Sequence, residues 1–298
     1  MDYSNALLKG GYNFTMMTRN FLTFDIEEWF HANYDGVDFS KYEGQSSNLE
    51  ANVDRLIDIC AAHDVKSTCF ILGDVAKSKP QVIKKLFDAG HEIASHGMAH
   101  RLIYPMHPDE FRADIHISSD VLEQITGQKV VGFRAPSWSV KSETLPWFYE
   151  ILADEGFLYS SSVYPAKHSL FGIPDFPRMP HYPLSQSVLE IPQSVMNLFG
   201  TSIGYAGGGF LRFFPAWLIK KEIEKENKRG RPVFIYLHPR EIDIHQPRLE
   251  LKGFDEFFHY QGISGCEEKL TGLIHAFEGS FLRMDEYAKK VQAEVPLI

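Results

Sequence analysis

Short apolar runs, typical of buried strands, alternate with stretches whose apolar residues recur at helical spacing over the first two thirds of the chain. Strands are predicted at residues 21–26, 67–72, 91–95, 130–133 and 157–161. Helices are predicted after a capping Ser47 and at residues 80–89, 109–125 and 142–154. Repeated βα units of this kind predict a parallel sheet with right-handed crossovers, either open or closed into a barrel.

Residues 163–210 break this pattern with many prolines, aromatic residues and the run Gly207-Gly208-Gly209. Such breakers exclude long helices and predict an ordered excursion with short strands, for example within 188–195. A loop this long in a compact domain is usually functional, so we expect it to form a wall of a substrate groove. The alternation then resumes with a helix at 214–228, a strand within 232–239, a helix at 264–277 and a last strand at 281–286.

The composition is that of a soluble globular protein, with 298 residues, 44% hydrophobic residues and a net charge of −9. This negative charge argues against a nucleic acid or an anionic membrane as the partner. No run approaches the roughly 18 apolar residues needed to span a bilayer. Three cysteines without a CxxC motif favour buried thiols in a reducing compartment, and we therefore expect a cytoplasmic protein.

The first residues lack the pattern of a signal peptide. We expect residues 1–19 to be a flexible leader, with Met16 or Met17 as an alternative start, and residues 20–298 to form one domain.

Chemically versatile side chains follow four of the apolar runs. Because the carboxyl ends of parallel strands meet at one edge of a sheet or barrel, these side chains predict a single active site. They are Asp25, Glu27 and Glu28, then His96 and His100, then Arg134, and finally His238.

His96 and His100 stand four residues apart, a spacing that on a helical turn places both rings on one face, able to bind one metal ion. In a strand, Asp25 and Glu27 point to the same side, so two carboxylates and two imidazoles supply a metal ligand and a spare base. The simpler alternative for the acids is a solvated charge cluster. Arg134 is expected to pair with Asp25, or with another acid in a purely structural role. His238 is a candidate proton donor, although a lone histidine is more often structural.

These residues lie in motifs that resemble the polysaccharide deacetylases of carbohydrate esterase family 4, the NodB-homology fold. The segments TFDIEEWFHA, SHGMAH and FRAPSWS resemble its motifs. GGGFLRFFPAWL and YLHPREIDIHQPR resemble the C-terminal signature of its exopolysaccharide- and exosortase-associated branch. The resemblance covers about residues 20–290. It implies a distorted (β/α) barrel of about seven parallel strands, here with a C-terminal extension, and a divalent metal, usually zinc, held by one carboxylate and two histidines.

Carried over residue by residue, the resemblance assigns His96 and His100 as metal ligands, Asp25 as the catalytic base and His238 as the general acid. Arg134 is then the arginine that tethers the base. Two departures leave roles open. Family members have two adjacent aspartates followed by glycine, whereas this chain has Asp25-Ile26-Glu27-Glu28, so Glu27 is the favoured third ligand and Glu28 or Asp25 the alternative. Tyr159-Ser160-Ser161 also replaces a Tyr-Asp-Ser sequence.

The expected reaction is therefore removal of N-acetyl groups from amino sugars of a polysaccharide or its precursor, such as an exopolysaccharide. We expect the Ser137 amide to stabilise the oxyanion, and Trp138, Tyr182 or Tyr205 to stack on sugar rings. The partner would be an N-acetylated polysaccharide or oligosaccharide, met in the cytoplasm or at the inner membrane face. The alternatives are hydrolysis of a small non-sugar amide, as in allantoinase-like relatives, and a non-catalytic glycan-binding module.

Overall fold

Seven parallel strands form one curled sheet that builds an incomplete barrel. The structure is a computed structural model that describes residues 19–34, 36–168, 171–185 and 187–294. Its strands are β1 (Phe21–Ile26), β2 (Thr68–Ile71), β3 (Glu92–Ser95), β4 (Gly132–Phe133), β5 (Tyr159–Ser160), β6 (Leu189–Glu190), β7 (Val195–Leu198), β8 (Thr201–Gly204) and β9 (Phe234–Leu237). The sheet has the order β6-β5-β4-β3-β2-β1-β9, while β7 and β8 form a separate antiparallel hairpin. The predicted barrel class is confirmed, and the predicted leader lies almost wholly outside the described residues.

Helices follow most strands and cover the outer face of the sheet. They are α1 (Leu49–Ala62), α2 (Gly73–Ser78), α3 (Pro80–Asp88), α4 (Pro108–Thr126), α5 (Leu145–Asp154), α6 (Gly208–Phe213), α7 (Ala216–Lys228), α8 (Gly253–Tyr260), α9 (Cys266–Ala276) and α10 (Met284–Glu294). Four helices, α2, α6, α8 and α10, were not predicted. The predicted strand at 281–286 is wrong, because this segment makes one bridge from Phe281 to Asn20 and then enters α10.

Strand β1 lies between β2 and the edge strand β9 and is buried on both faces, as parallel strands usually are. Leu22, Phe24 and Ile26 pack outward into the main hydrophobic core. Phe21 belongs to a second cluster on the other face of the sheet, and alternation puts Asp25 on that same inner face. The strand thus delivers a carboxylate to the inside of the barrel at its carboxyl end.

Helix α10 closes the opposite end of the barrel. Its buried residues Met284, Tyr287, Ala288 and Val291 join the inner cluster, and the Tyr287 ring contacts Phe21 edge-on with ring centroids 5.1 Å apart. Packing of this amphipathic helix covers the amino-terminal end of the sheet, so that end is closed. The histidine, acid and arginine side chains of the predicted site lie at the carboxyl end.

Two expectations from composition can be compared with the fold. Cys60, Cys69 and Cys266 are all buried and free, as expected for reduced thiols. Among the described helices, none has the length and apolar character needed to cross a membrane.

Candidate active site

Glu27, His96 and His100 converge at the carboxyl ends of β1 and β3. Glu27 follows β1 and His96 follows β3 directly, so both leave neighbouring regions of the same sheet edge. The Glu27 Oε1 atom lies 3.0 Å from Nε2 of His96 and 3.0 Å from Nε2 of His100. All three side chains are buried, and their ligand atoms lie within 4.8 Å of one another. One carboxylate oxygen and two imidazole nitrogens are a donor set that suits Zn²⁺.

The segment between the two histidines is not a helical turn, and that part of the prediction is wrong. Gly97 has φ +75° and His100 has φ +54°, both in the left-handed region. A β-carbon on Gly97 would come within 2.8 Å of Asp114 Oδ2, which accepts a hydrogen bond of 2.8 Å from the Met98 amide. The left-handed backbone and the close approach of Asp114 bring the His96 and His100 rings together. Helical spacing, which was expected to do this, is absent.

The outer nitrogens of the two histidines are also occupied. His96 Nδ1 donates to the backbone carbonyl of Arg134 at 2.7 Å, which leaves its Nε2 facing Glu27. His100 Nδ1 lies 3.2 Å from the Asn33 side-chain amide, which also donates to Ser137 Oγ at 3.0 Å. The His96 contact fixes the tautomer that leaves Nε2 free to bind a metal, and the Asn33 contact holds the orientation of the His100 ring.

The negative charge of Glu27 also suits a metal ligand. Burial alone raises the pKa of Glu27, but the nearby His100 and His238 outweigh it and hold this pKa well below its usual range. The second oxygen, Oε2, lies 3.3 Å from Arg240 Nη1. Glu27 is therefore ionised, with one oxygen directed to the two histidines and the other to Arg240.

The other two acids of the cluster have different partners. Glu28 lies 2.8 Å from Lys79 Nζ and accepts a hydrogen bond from Ser47, so it does not face the histidines. Asp25 accepts a 2.6 Å hydrogen bond from Arg134 Nη1. Asp25, Glu27 and Glu28 therefore have different partners. Only Glu27 contacts both imidazoles.

Arg134 is fully buried and held on several sides. Its guanidinium donates to Thr23 Oγ1 at 3.0 Å and to Ser161 Oγ at 3.2 Å, in addition to Asp25. It also lies 4.0 Å from the centre of the Phe70 ring. A buried arginine–carboxylate pair of this geometry keeps Asp25 in one orientation. The predicted pairing of Arg134 with Asp25 is confirmed.

His238 lies across the site from the histidine pair. Its Nε2 is 3.9 Å from Asp25 Oδ2 and 4.0 Å from Glu27 Oε1. Its Nδ1 is 3.1 Å from Glu241 Oε2, and Glu241 in turn accepts from Arg212 Nε at 3.0 Å. Burial raises the pKa of Glu241, but the hydrogen bond and charge of His238 and the charge of Arg212 bring it well below its usual range.

Sequence reasoning missed Glu241, Arg212, Arg240 and Asn33. Glu241 stands three residues after His238 in a short turn, a spacing that could have suggested the contact. Arg212 could not have been found, because it comes from α6, in another part of the chain.

The predicted sugar-binding residues have different positions. Trp138 is buried, packs against Tyr236 with centroids 4.6 Å apart, and lies 5.5 Å from the Arg134 guanidinium. Tyr182 is half-buried against the inner cluster. Tyr205 is only 1% exposed and lies beside Val233, at the other end of β9 from His238. The expectation that Tyr205 stacks on a sugar is therefore wrong, because its ring cannot be reached.

Comparisons with known proteins support a family for this chain. Residues 21–148 match the sequence model of the family described as polysaccharide deacetylase, and residues 161–289 match that of a domain of unknown function (DUF3473). The peptidoglycan-N-acetylglucosamine deacetylase of Bacillus cereus is 28% identical over 96 residues, 32% of this chain and 35% of that protein. The aligned segments span only 28% to 38% of the first curated relatives.

Solved structures share the fold over nearly the whole chain. A putative polysaccharide deacetylase from Mycobacterium smegmatis is similar with a TM-score of 0.67 and 20% identity, covering 96% of both chains. An allantoinase is similar with a TM-score of 0.65 and 18% identity, covering 100% of both chains. The family model and the curated relatives together support the polysaccharide deacetylase family.

Proposed function

We propose that this protein is a metal-dependent carbohydrate N-deacetylase that hydrolyses the acetamido groups of amino sugars in a polysaccharide or its precursor. The observation that supports it most is the convergence of Glu27, His96 and His100 beside the Asp25–Arg134 pair and His238. A ligand set, a tethered carboxylate and a separate histidine are the parts that amide hydrolysis requires.

Glu27, His96 and His100 would hold the metal, for which the donor set favours Zn²⁺. A divalent ion bound there supplies Lewis acidity, polarising the acetamido carbonyl and lowering the pKa of a water. The chain's own contribution is to present Glu27 Oε1 and two correctly oriented Nε2 atoms. Because Arg240 contacts the other Glu27 oxygen, Glu27 is directed to offer a single oxygen as ligand.

Asp25 acts as the general base and accepts the proton of the attacking water. Arg134 keeps the carboxylate in one orientation, since it holds Oδ1 while Oδ2 faces His238. The new C–O bond forms as the water's proton moves to Asp25.

His238 acts as the general acid and donates a proton from Nε2 to the departing amine as the C–N bond breaks. Glu241 holds Nδ1 of His238, so that Nε2 is directed towards Asp25 and Glu27. The products are acetate and a free amino sugar.

Substrate would approach the site past Ser137. Ser137 contacts the Asn33 side chain next to His100, which supports a role of its backbone near the reacting carbonyl. The resemblance of the carboxyl-terminal motifs supports an exopolysaccharide precursor as substrate, modified in the cytoplasm or at the inner membrane face.

The test is release of acetate and free amine from N-acetylglucosamine oligomers by the protein freed of metal and then reloaded with Zn²⁺. We expect turnover only after reloading, and a loss of at least about 100-fold in kcat/KM for His96→Ala and Asp25→Ala. His116→Ala is the matched control, because this exposed histidine contacts Glu155 and Asp120 far from the site.

Other outcomes would contradict the proposal. Full activity in either site variant would refute the assigned roles. Turnover of allantoin but not of the oligomers would indicate a small-amide hydrolase. Binding of oligomers without turnover by the Zn²⁺-loaded protein would indicate a non-catalytic glycan-binding module.

A further inference from the structure

A second group of two histidines and a glutamate lies on the surface, on elements that the active site does not use. His63 follows α1 directly, His275 lies in the last turn of α9, and Glu278 follows α9. The Glu278 Oε1 atom lies 2.8 Å from His63 Nδ1 and 2.9 Å from His275 Nδ1. The ligand atoms of all three lie within 4.8 Å of one another.

This arrangement repeats the donor geometry of the buried cluster. In both places one carboxylate oxygen lies between two imidazole nitrogens, at 3.0 Å in the buried cluster and at 2.8 and 2.9 Å on the surface. The difference is exposure: the side chains of His63, Glu278 and His275 are 16%, 47% and 74% exposed. A surface ion would therefore bind more weakly and exchange faster than a buried one.

The backbone around this group also favours a cation. His63 caps the carboxyl end of α1, and His275 precedes the carboxyl end of α9 by one residue. The last carbonyls of a helix have a partial negative charge, and here two helices end at one place. A cation near both ends is stabilised beyond its contacts with the three side chains.

There is room for the remaining ligands of an ion. An open groove of about 600 Å³ lies against the site and is lined by His63, Thr271, Gly272 and His275, among others. Tetrahedral zinc, with bonds of about 2.0–2.1 Å, separates its ligand atoms by about 3.3 Å. The two Glu278–histidine distances would have to lengthen by only about 0.5 Å, which the exposed Glu278 and His275 side chains allow, and water from the groove would complete the shell.

We propose that His63, His275 and Glu278 form a second, surface metal site that binds one divalent transition-metal ion and joins the ends of α1 and α9. Imidazole nitrogens select zinc, nickel or copper over calcium and magnesium, which prefer oxygen ligands. The ion would connect two helices that are far apart in sequence, and would stabilise the folded chain without taking part in hydrolysis.

The test is a calorimetric titration of the metal-free protein with Zn²⁺. We expect two equivalents for the unmodified chain, a single equivalent for His275→Ala or Glu278→Gln, and a single equivalent for His96→Ala. The double variant His96→Ala/His275→Ala should bind none. Zn²⁺ should raise the melting temperature of His96→Ala and leave that of the double variant unchanged, since an ion that binds only the folded state stabilises it.

His116→Ala is the control for a different surface histidine with two acidic neighbours, and it should retain both equivalents. Both equivalents retained in His275→Ala and Glu278→Gln would overturn the surface site, as would loss of the second equivalent in His116→Ala alone. Two equivalents retained in His96→Ala would instead contradict the proposed catalytic metal. The two proposals therefore fail separately, and deacetylation by His275→Ala should equal that of the unmodified chain.

Discussion

At the scale of single residues, the orientation of His238 depends on Glu241. This carboxylate contacts both the backbone amide and Nδ1 of His238, while Arg212 holds its other oxygen. Arg212 is itself fixed by the carbonyls of Phe258 and Gln261. The family resemblance suggested an aspartate after Tyr159, where this chain has Ser160. The chain thus has a carboxylate for its histidine, but takes it from the turn after β9.

Replacing Glu241 by glutamine is expected to lower kcat of the proposed reaction by roughly 10- to 100-fold with little change in KM. The amide can donate as well as accept, so it no longer fixes which ring nitrogen of His238 faces the substrate. Glu241→Asp should restore part of the rate, since the charge remains. Steady-state kinetics and melting temperatures of both variants, with exposed Glu250→Gln as control, test this. An unchanged kcat in Glu241→Gln would show that His238 needs no such partner.

At the scale of elements, the site depends on strand ends and on one close backbone approach. Gly207 bridges to Tyr236 on β9, and a β-carbon at this position would overlap the Tyr236 ring. Tyr236 packs edge-on against Trp138 and lies 6.0 Å from the His238 ring. Because Gly207 has no side chain, residues 204–207 can lie against β9, the strand that leads to His238.

Gly207→Ala is expected to lower the free energy of unfolding by about 1–3 kcal/mol and to reduce turnover, because Tyr236 must move. Gly272→Ala is the matched control: it lies inside α9, and a β-carbon there meets nothing within 4 Å. That change should raise stability by up to about 1 kcal/mol, since alanine favours helix more than glycine does. Urea unfolding measures both changes, and equal effects of the two substitutions would rule out the proposed contact.

At the scale of the whole molecule, a polar network at the amino-terminal end of the barrel joins α10 to the sheet. Glu92 on β3 accepts hydrogen bonds from Thr68 at 2.6 Å, from Tyr159 at 2.7 Å and from the Asp285 amide at 3.0 Å. Burial, together with the charge of Asp285, raises the pKa of Glu92 to about 7. This carboxyl therefore keeps its proton in the folded protein at pH values where an unfolded chain has lost it.

The sign of the resulting pH dependence follows from proton counts. Between the ordinary glutamate pKa and about 7, the folded state binds more protons than the unfolded state, so this contribution to stability falls as pH rises through that window. Glu92→Gln should remove the fall. The difference in unfolding free energy between this variant and the unmodified chain should shift in favour of the variant from pH 5 to pH 8. Exposed Glu150→Gln should follow the unmodified chain, and parallel curves for Glu92→Gln would refute the assignment.

The amino-acid sequence determined the elements and the residues at their ends. The apolar run at residues 21–26 and the helical spacing in the amphipathic segments are local patterns, so β1 and most helices were predicted within a few residues. The convergence of Asp25, His96, Arg134 and His238 followed too, because parallel strands end at one edge. The strand predicted at 281–286 was wrong, since the apolar residues of this segment pack against the inner cluster at the start of α10.

Only the tertiary structure decided which side chains meet. The left-handed turn that joins His96 to His100, the Arg212–Glu241 support of His238 and the burial of Tyr205 all depend on elements distant in sequence. The physical reason is that local periodicity fixes the face from which a side chain leaves its own element. The partner on that face is set by how separate strands and helices pack, and no local pattern encodes it.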